Sequence, residues 1–428
     1  MRCPQRRFGI WLCGGLTFPL LAPYQLILQH HEHDRGSLPS VTGEGAGLLP
    51  GRGSADSASF EWLDEPGSVM DQRIREHAEI VADWSTEISQ GDDVLIHCQD
   101  GAEELAQALV GEVADRGGQP MVTYKSGKAS REFLRRADGE TIGTEPAHSR
   151  AATQAADKVV HLRAGQNTRE SSDVPTQAQA TRRKAVEDIR EERLSKDWCL
   201  TMHPTDALAQ EAGMSTEAFA DLYYDAVLID WSDFAKEIER VAERFNGSDE
   251  VRIVGEGTDL TMPTTERHFV ASIGTKNLPS GEAFTAPILE GTNGEAYIDL
   301  PAVVEGREVQ GIHLEFDDGE VVDYSAERGE EALASLLETD EGSDKLGELG
   351  IGMNRGIDRP TKNILLDEKM GGTIHLALGR AYKECNGEVE SAVHQDVIKT
   401  MGEGSRIEVD GEVVQRDGTF RFEEGFEG

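Results

Sequence analysis

The order of predicted elements constrains the fold of this chain more than any other feature of the sequence. After Met70, short apolar runs typical of buried strands alternate with stretches in which apolar residues recur every three or four positions. The strand-like runs are Asp92–Cys98, Pro120–Tyr124, Lys158–Leu162 and Trp198–Met202, and the helix-like stretches are Met70–Ser89, Ala102–Arg116 and Gln177–Leu194. Such alternation predicts a mostly parallel sheet, flavodoxin-like or Rossmann-like. The first turn, Gln99-Asp-Gly-Ala, lacks the Gly-rich phosphate-binding pattern, so we expect a scaffold and not a nucleotide site.

The pattern changes downstream of Val251. Helical stretches at 219–227 and 234–245 give way to short strands separated by Gly-rich turns. These strands are Val251–Val254, Glu295–Leu300, Val309–Phe316, Ile374–Leu378, Arg406–Val409 and Glu412–Val414. Asp317-Asp-Gly and Asp410-Gly are typical of hairpin turns. We therefore expect an α/β domain over residues 70–204, followed by an α+β domain over residues 205–428 that is rich in antiparallel strands.

Residues 1–69 differ in composition from the rest of the chain. The first thirty contain no acidic residue, and Arg6-Arg7 precede an apolar run that glycines and prolines interrupt. One interpretation is a twin-arginine export signal or an anchor. The other, which we favour, is an extension upstream of a true start at Met70, where acidic amphipathic sequence begins. In either case we expect little fixed structure in this segment.

The chain is strongly acidic. Its formal net charge is −38 over 428 residues, and the acidity is spread through the domain region instead of forming a tail. A solvated acidic surface is one explanation, but the composition favours the cytoplasmic protein of a halophile. The charge argues against nucleic acid or an anionic membrane as the main partner. The five cysteines form no CxxC pair, which indicates free thiols in a reducing compartment.

Residues near the C-terminus have the chemistry of a metal site. His394 and Asp396 are two positions apart, so their side chains share a face if the segment is extended, and His375 lies in an alternating, strand-like run. Imidazole together with carboxylate suits Zn, Co, Mn or Fe(II). With Glu282 and Glu348 upstream, two histidines and three carboxylates are enough to hold two divalent ions about 3.5–4 Å apart.

The sequences around these residues resemble the aminopeptidase T and aminopeptidase S family of dinuclear metallo-aminopeptidases. The resemblance is carried, in the family's order, by the segments Asn277–Pro287, Leu346-Gly-Glu348, His375–Tyr382 and His394-Gln-Asp396. It implies the metal ligands Glu282, Glu348, His375, His394 and Asp396. It also places Tyr382 at a tyrosine of the family's active site. Two departures are Gly281, where many members have an acid, and the residues 371–374 before the first histidine.

We therefore expect a metal-dependent aminopeptidase of a halophilic, archaeal type, with two divalent ions per chain (Co, Zn, Mn or Mg). Glu348 and Tyr382 are the candidate catalytic residues. The substrates would be short peptides with a free N-terminus, and the resemblance implies a homodimer whose active sites face a restricted internal space. We expect neither nucleic acid nor membrane as a partner.

Two alternatives remain open from the sequence. The related 2,5-dihydroxypyridine dioxygenases hold one Fe(II) with two histidines and one aspartate, and His375, His394 and Asp396 could act in the same way. Glu282 and Glu348 distinguish the two enzymes, because a site for one iron does not need them. The other alternative is a peptide- or metal-binding protein without catalytic activity.

Overall fold

The computed structural model describes residues 70–304, 306–423 and 425–426. The predictions made for residues 1–69 lie outside this range. The helices are α1 Gln72–Ile80, α2 Glu103–Asp115, α3 Gly127–Arg136, α4 Gly139–Ile142, α5 Ala147–Ala155, α6 Thr176–Ala185, α7 Glu187–Leu194, α8 Asp206–Glu211, α9 Thr216–Val227, α10 Trp231–Phe245, α11 Glu330–Leu337 and α12 Ile364–Asp367.

The strands fall into one parallel and two antiparallel sheets. In chain order they are β1 Asp93–Gln99, β2 Gln119–Lys125, β3 Lys158–Arg163, β4 Asp197–Met202, β5 Glu250–Gly255, β6 Thr258–Pro263, β7 Val270–Ser272, β8 Asn277–Leu278, β9 Glu282–Thr285, β10 Asn293–Ile298, β11 Ala302–Val304, β12 Arg307–Asp317, β13 Glu320–Arg328, β14 Leu346–Gly352, β15 Thr373–Gly379, β16 His394–Thr400, β17 Arg406–Val409, β18 Glu412–Arg416 and β19 Thr419–Phe420.

The first sheet is parallel throughout, in the order β2-β1-β3-β4-β8. The alternate residues Val94 and Ile96 of β1 are buried in one core with α1 and α2, whereas Leu95 packs on the other face with Val159 and the end of α5. Burial on both faces explains the continuous apolar run of this strand. The predicted parallel sheet is confirmed. Its last strand, β8, comes from much later in the chain.

Two predicted helices differ from the structure. The stretch Met70–Ser89 forms α1 and then a π-helical turn, Val81–Ser85, which lets the Trp84 indole and the Ser85 hydroxyl donate to the carbonyls of residues 273 and 274 at 2.7 Å each. The polar stretch Gln177–Leu194 is not one helix. It breaks at Val186, whose φ of −113° and ψ of 10° lie outside the α-helical region, into α6 and α7.

The rest of the described chain is mainly antiparallel, as predicted. One sheet has the order β11-β12-β10-β6-β5-β17-β18-β19, with β13 added beside β12, and the other has the order β16-β15-β14-β9-β7. The predicted turns at Asp317-Asp-Gly and Asp410-Gly connect β12 to β13 and β17 to β18. A shared apolar core lies between these sheets, and α10 packs against β7 and β9. No helix in the described residues is long and apolar enough to cross a membrane.

Candidate metal centre

The smaller antiparallel sheet places all five predicted ligand residues on one face. Glu282 begins β9, Glu348 lies on β14 and His375 on β15, while His394 and Asp396 share β16. Their positions follow from the register of the sheet. Glu282 lies opposite Gly352, Asp396 opposite Ala377, and His394 opposite Gly379. Directly opposite residues project to the same side of an antiparallel pair, so the five side chains converge.

Small residues fill the positions between the ligand side chains on this face. They are Gly350, Gly352, Ala377 and Gly379. Beside Glu348, a β-bulge shifts the register of β14 by one residue, because Gly347 packs directly on the backbone of the neighbouring strand. Four positions next to the candidate ligands therefore carry no bulky side chain.

The charged atoms of the cluster are close to one another. His375 Nε2 lies 3.2 Å from Glu348 Oε1 and 3.8 Å from Glu282 Oε2. His394 Nε2 lies 3.6 Å from Glu348 Oε2 and 3.6 Å from Asp396 Oδ1. Glu348 is therefore the central member of the cluster, with one oxygen directed to each imidazole.

Backbone carbonyls orient both imidazoles. The Nδ1–H of His375 donates to the carbonyl of Glu368 at 3.0 Å, and that of His394 donates to the carbonyl of Arg380 at 2.7 Å. Because each Nδ1 is engaged by a carbonyl, Nε2 is the nitrogen that faces the cluster and would bind a metal ion. Such a partner on the far nitrogen is the usual arrangement of a metal-binding histidine.

The three carboxylates of the cluster are buried, which makes an uncompensated negative charge costly there. Glu282, Glu348 and Asp396 are all less than 9% exposed. Burial raises the pKa of Glu282 to about 7 and that of Asp396 to about 6. Burial by itself lowers the pKa of His375, but the hydrogen bond that its Nε2–H donates to Glu348 and the charges of Glu282 and Glu348 outweigh this effect and raise the pKa to about 10. The cluster thus favours bound positive charge.

As its side chains stand, no group of three or more described His, Cys, Asp and Glu residues has the geometry to hold a metal ion. Two features nevertheless fit metal ions at this cluster. First, Glu282 Oε2 and Glu348 Oε2 are buried and accept no hydrogen bond. Second, the donor atoms lie 3.2–3.8 Å apart, and two ligands about 2.1 Å from one ion in tetrahedral geometry are separated by about 3.4 Å.

The predicted active-site tyrosine lies at the rim of the cluster. The ring of Tyr382 is 4.9 Å from the ring of His394 and meets Phe284 edge-on at 5.8 Å, measured between centroids. Tyr382 is 36% exposed, so its hydroxyl can reach a ligand that enters from solvent. Burial raises the pKa of this phenol above its usual value, which keeps it protonated as a donor.

Two further members of the site were missed by the sequence analysis. Lys369 is fully buried, and its ammonium lies 3.4 Å from Glu282 Oε1 and pairs with the Glu368 carboxylate. Both residues lie in the turn between α12 and β15. No local pattern in the sequence marks this turn, because its partner Glu282 is far upstream.

Comparison with known proteins identifies the family of this chain. Residues 70–420 match the family described as thermophilic metalloprotease (M29). The chain belongs to this family. The predicted resemblance is therefore confirmed at the level of the M29 family, and membership of a metalloprotease family implies divalent metal ions.

Curated relatives are aminopeptidases. Aminopeptidase T of Thermus aquaticus is 34% identical over 193 residues, which cover 39% of this chain and 45% of the relative. Aminopeptidase 2 of Geobacillus stearothermophilus is 30% identical over 213 residues, covering 43% of this chain and 51% of the relative. AmpS of Bacillus subtilis is 36% identical over 143 residues, covering 30% and 34%. The chain thus spans about half the length, or less, of these M29-type relatives.

Two solved structures share the fold. AmpT from Thermus thermophilus superposes with a TM-score of 0.71 at 22% identity, covering 82% of this chain and 100% of that chain. A 2,5-dihydroxypyridine dioxygenase from Pseudomonas putida KT2440 superposes with a TM-score of 0.56 at 13% identity, covering 82% and 97%. At these identities the likeness shows the fold alone. The side chains of the site must therefore distinguish peptidase from dioxygenase chemistry.

Proposed function

We propose that this M29 protein is a metal-dependent aminopeptidase that removes N-terminal amino acids from short peptides. The observation that carries the proposal is the convergence of two buried carboxylates, Glu282 and Glu348, on the pair of histidines and Asp396. The aminopeptidase relatives support it.

The five side chains would together hold two divalent ions (Co, Zn, Mn or Mg). Glu348 directs separate oxygens to His375 and His394, so it would help to hold an ion beside either imidazole. When bound, two such ions polarise a scissile carbonyl and lower the pKa of a water molecule towards neutrality. A mostly buried, strongly acidic cluster is suited to this task because low exposure strengthens electrostatic interactions.

Glu348 and Tyr382 are the proposed catalytic residues. Glu348 would act through the ions that it helps to hold, because its two oxygens face His375 and His394 and would keep the ions next to the attacking water molecule. The Tyr382 hydroxyl, at the exposed side of His394, would donate to the oxyanion that forms when the peptide carbonyl is attacked. The packing of its ring against His394 and Phe284 holds the phenol in place.

The charge of the site supports exopeptidase character. The four positive charges of two divalent ions would outweigh the three carboxylates, so the centre would accept the lone pair of a free, deprotonated α-amino group, which an acetylated N-terminus does not offer. We propose that the enzyme acts as a homodimer in the cytoplasm of a halophile, as the sequence implies. The acidic composition, with a formal net charge of −38, supports the halophilic part of this proposal.

Ring cleavage by a dioxygenase is the competing function, because a dihydroxypyridine dioxygenase has the same fold as this chain. His375, His394 and Asp396 are enough for one Fe(II). Glu282 and Glu348 lie within 3.8 Å of the same imidazoles, and one oxygen of each is buried and accepts no hydrogen bond, an arrangement that a site for one iron does not need. Their presence favours the site for two metal ions.

Metal analysis tests this proposal. Apoprotein dialysed against Co²⁺ or Zn²⁺ should bind two ions per chain, and Glu282→Gln or Glu348→Gln should lower the metal content and abolish peptidase activity. Glu315→Gln, at an exposed position of β12, is the matched control and should change neither. Saturation at one iron, with O₂ consumption on a dihydroxypyridine, would contradict the peptidase proposal.

A further inference from the structure

Lys369 is the least expected residue of the site. Its side chain is 0% exposed, and lysine is almost never fully buried unless it is paired. The ammonium contacts Glu282 Oε1 at 3.4 Å and pairs with the Glu368 carboxylate. A buried cation in this position must be compensated by these carboxylates, and in turn compensates them.

The turn that carries Lys369 is held rigidly. The Asp367 carboxylate accepts hydrogen bonds from the backbone N–H groups of Thr361 and Lys362 at 2.7 and 2.8 Å. The carbonyl of Glu368 accepts the Nδ1–H of His375. The same turn therefore orients His375 through a backbone carbonyl and contacts the Glu282 carboxylate through the Lys369 side chain.

The two oxygens of Glu282 have different surroundings. Oε1 faces the Lys369 ammonium, whereas Oε2 is buried, accepts no hydrogen bond and lies 3.8 Å from His375 Nε2. We propose that Lys369 is a positioning residue that holds Glu282 by Oε1, so that Oε2 alone is presented to a metal ion. This inference rests on the proposed function, since it concerns the same metal centre.

The proposal predicts that loss of Lys369 weakens the binding of one of the two metal ions. Without the ammonium, Glu282 loses the partner that fixes its orientation, and one of the two ions loses a well-placed ligand. Loss of an outer partner of a metal ligand typically costs 10–100-fold in metal affinity. The ion that Glu282 does not bind should be affected much less.

The test is a competition titration of apoprotein with Zn²⁺ against a chromophoric chelator. Wild type should bind two ions, whereas Lys369→Met and Lys369→Gln should bind one ion as before and the other at least tenfold more weakly. Lys369→Arg, which keeps a cation, should retain more of the affinity. Lys399→Met is the matched control, because Lys399 is also buried but its ammonium donates to the Glu256 carbonyl, away from the site.

A double variant shows whether Lys369 acts through its partner. In a Glu282→Gln background, Lys369→Met should not weaken Zn²⁺ binding further. Folded Lys369→Met and Lys369→Gln that bind both ions as tightly as wild type would overturn the proposal, as would equal weakening of both ions. Wild type that binds no second ion would instead refute the two-metal centre itself, so the two failures are distinguishable. If the single variants unfold, Zn²⁺ binding is compared between Glu282→Gln and the double variant. Glu282→Gln removes the carboxylate charge that Lys369→Met would leave without a partner, and weaker binding by the double variant would overturn the proposal.

Discussion

Gly350 lies directly opposite His375 on the neighbouring strand, and the imidazole occupies the space that a side chain at residue 350 would need. A Cβ atom built on Gly350 overlaps the ring at Cε1 and Nε2. Since Nε2 is the atom directed at Glu348, the absence of a side chain at residue 350 determines where this nitrogen lies.

Gly350→Ala should therefore displace the His375 imidazole and disrupt the site. We expect metal affinity to fall by at least about 10–100-fold, because the loss is comparable to that of a partner that orients a ligand. Overpacking should also cost about 1–3 kcal/mol of stability. Gly402→Ala is the control, since a Cβ there meets no atom within 4 Å. Unchanged metal binding in folded Gly350→Ala would show that the ring does not have to occupy this position.

Tyr382→Phe should separate catalysis from metal binding. The substitution keeps the ring that packs on His394 and removes the proposed donor to the oxyanion, so kcat should fall about 10²–10³-fold. Metal content, measured by atomic emission, should stay at the wild-type value. Tyr324→Phe, which alters a tyrosine that packs on the main core, is the control. A kcat within twofold of wild type would assign Tyr382 a packing role only.

The pH dependence of the unfolding free energy should reveal the low pKa of the buried His77. Burial lowers its pKa to about 3, while its value in the unfolded chain is about 6.5. Below pH 6.5 the unfolded chain therefore takes up a proton that the folded protein does not, and stability falls by about 1.4 kcal/mol per pH unit until about pH 3. Above pH 6.5 this residue contributes no dependence on pH.

Comparison with His77→Gln isolates this effect, because all other titrating groups are common to both proteins. His77 contacts the Thr201 hydroxyl at 2.7 Å, and glutamine can keep a hydrogen bond there. Urea unfolding at pH 7 and pH 5 should show wild type losing about 2 kcal/mol more than the variant. Parallel losses in the two proteins would mean that His77 is protonated in the folded state.

The sequence predicted the sheet types because its strands carry apolar patterns, but it missed the strand that carries Glu348. The residues of β14 are all buried and include three glycines, so they show neither alternation nor strand propensity. Those glycines are explained only by the fold, since Gly350 accommodates His375. Gly281 is similar. It has a φ of +123°, and a Cβ there would lie 2.8 Å from Phe234 and 2.9 Å from Asn354. The structure thus gives a local reason for glycine before Glu282.

The convergence of the candidate ligand residues could be predicted because they occur in distinctive short segments, whereas their supporting partners could not be predicted. His394 and Asp396 share a face of β16, as an extended segment requires. Lys369 and the carbonyl of Glu368 contact the ligands only after the turn between α12 and β15 folds onto the sheet. Contacts of this kind depend on tertiary structure and leave no periodic signal in the sequence.

Salt should stabilise this protein steeply. At 0.1 M ionic strength the Debye length is about 10 Å, and at 1 M it is about 3 Å. With a formal net charge of −38, the added screening should weaken the repulsion that opposes folding. We expect Tm, measured by calorimetry, to rise markedly between 0.1 and 1 M KCl. A Tm that does not change with KCl would contradict adaptation to a saline cytoplasm.

The most direct test of the central claim is product analysis on matched peptides. Metal-stripped protein, reloaded with Co²⁺ in molar KCl, is incubated with one oligopeptide in free and N-acetylated forms, and the products are identified by mass spectrometry. The account predicts stepwise release of N-terminal residues from the free peptide, no cleavage of the acetylated peptide, and no cleavage of either by metal-stripped protein or Glu348→Gln. Internal cuts, or equal cleavage of both peptides, would contradict it.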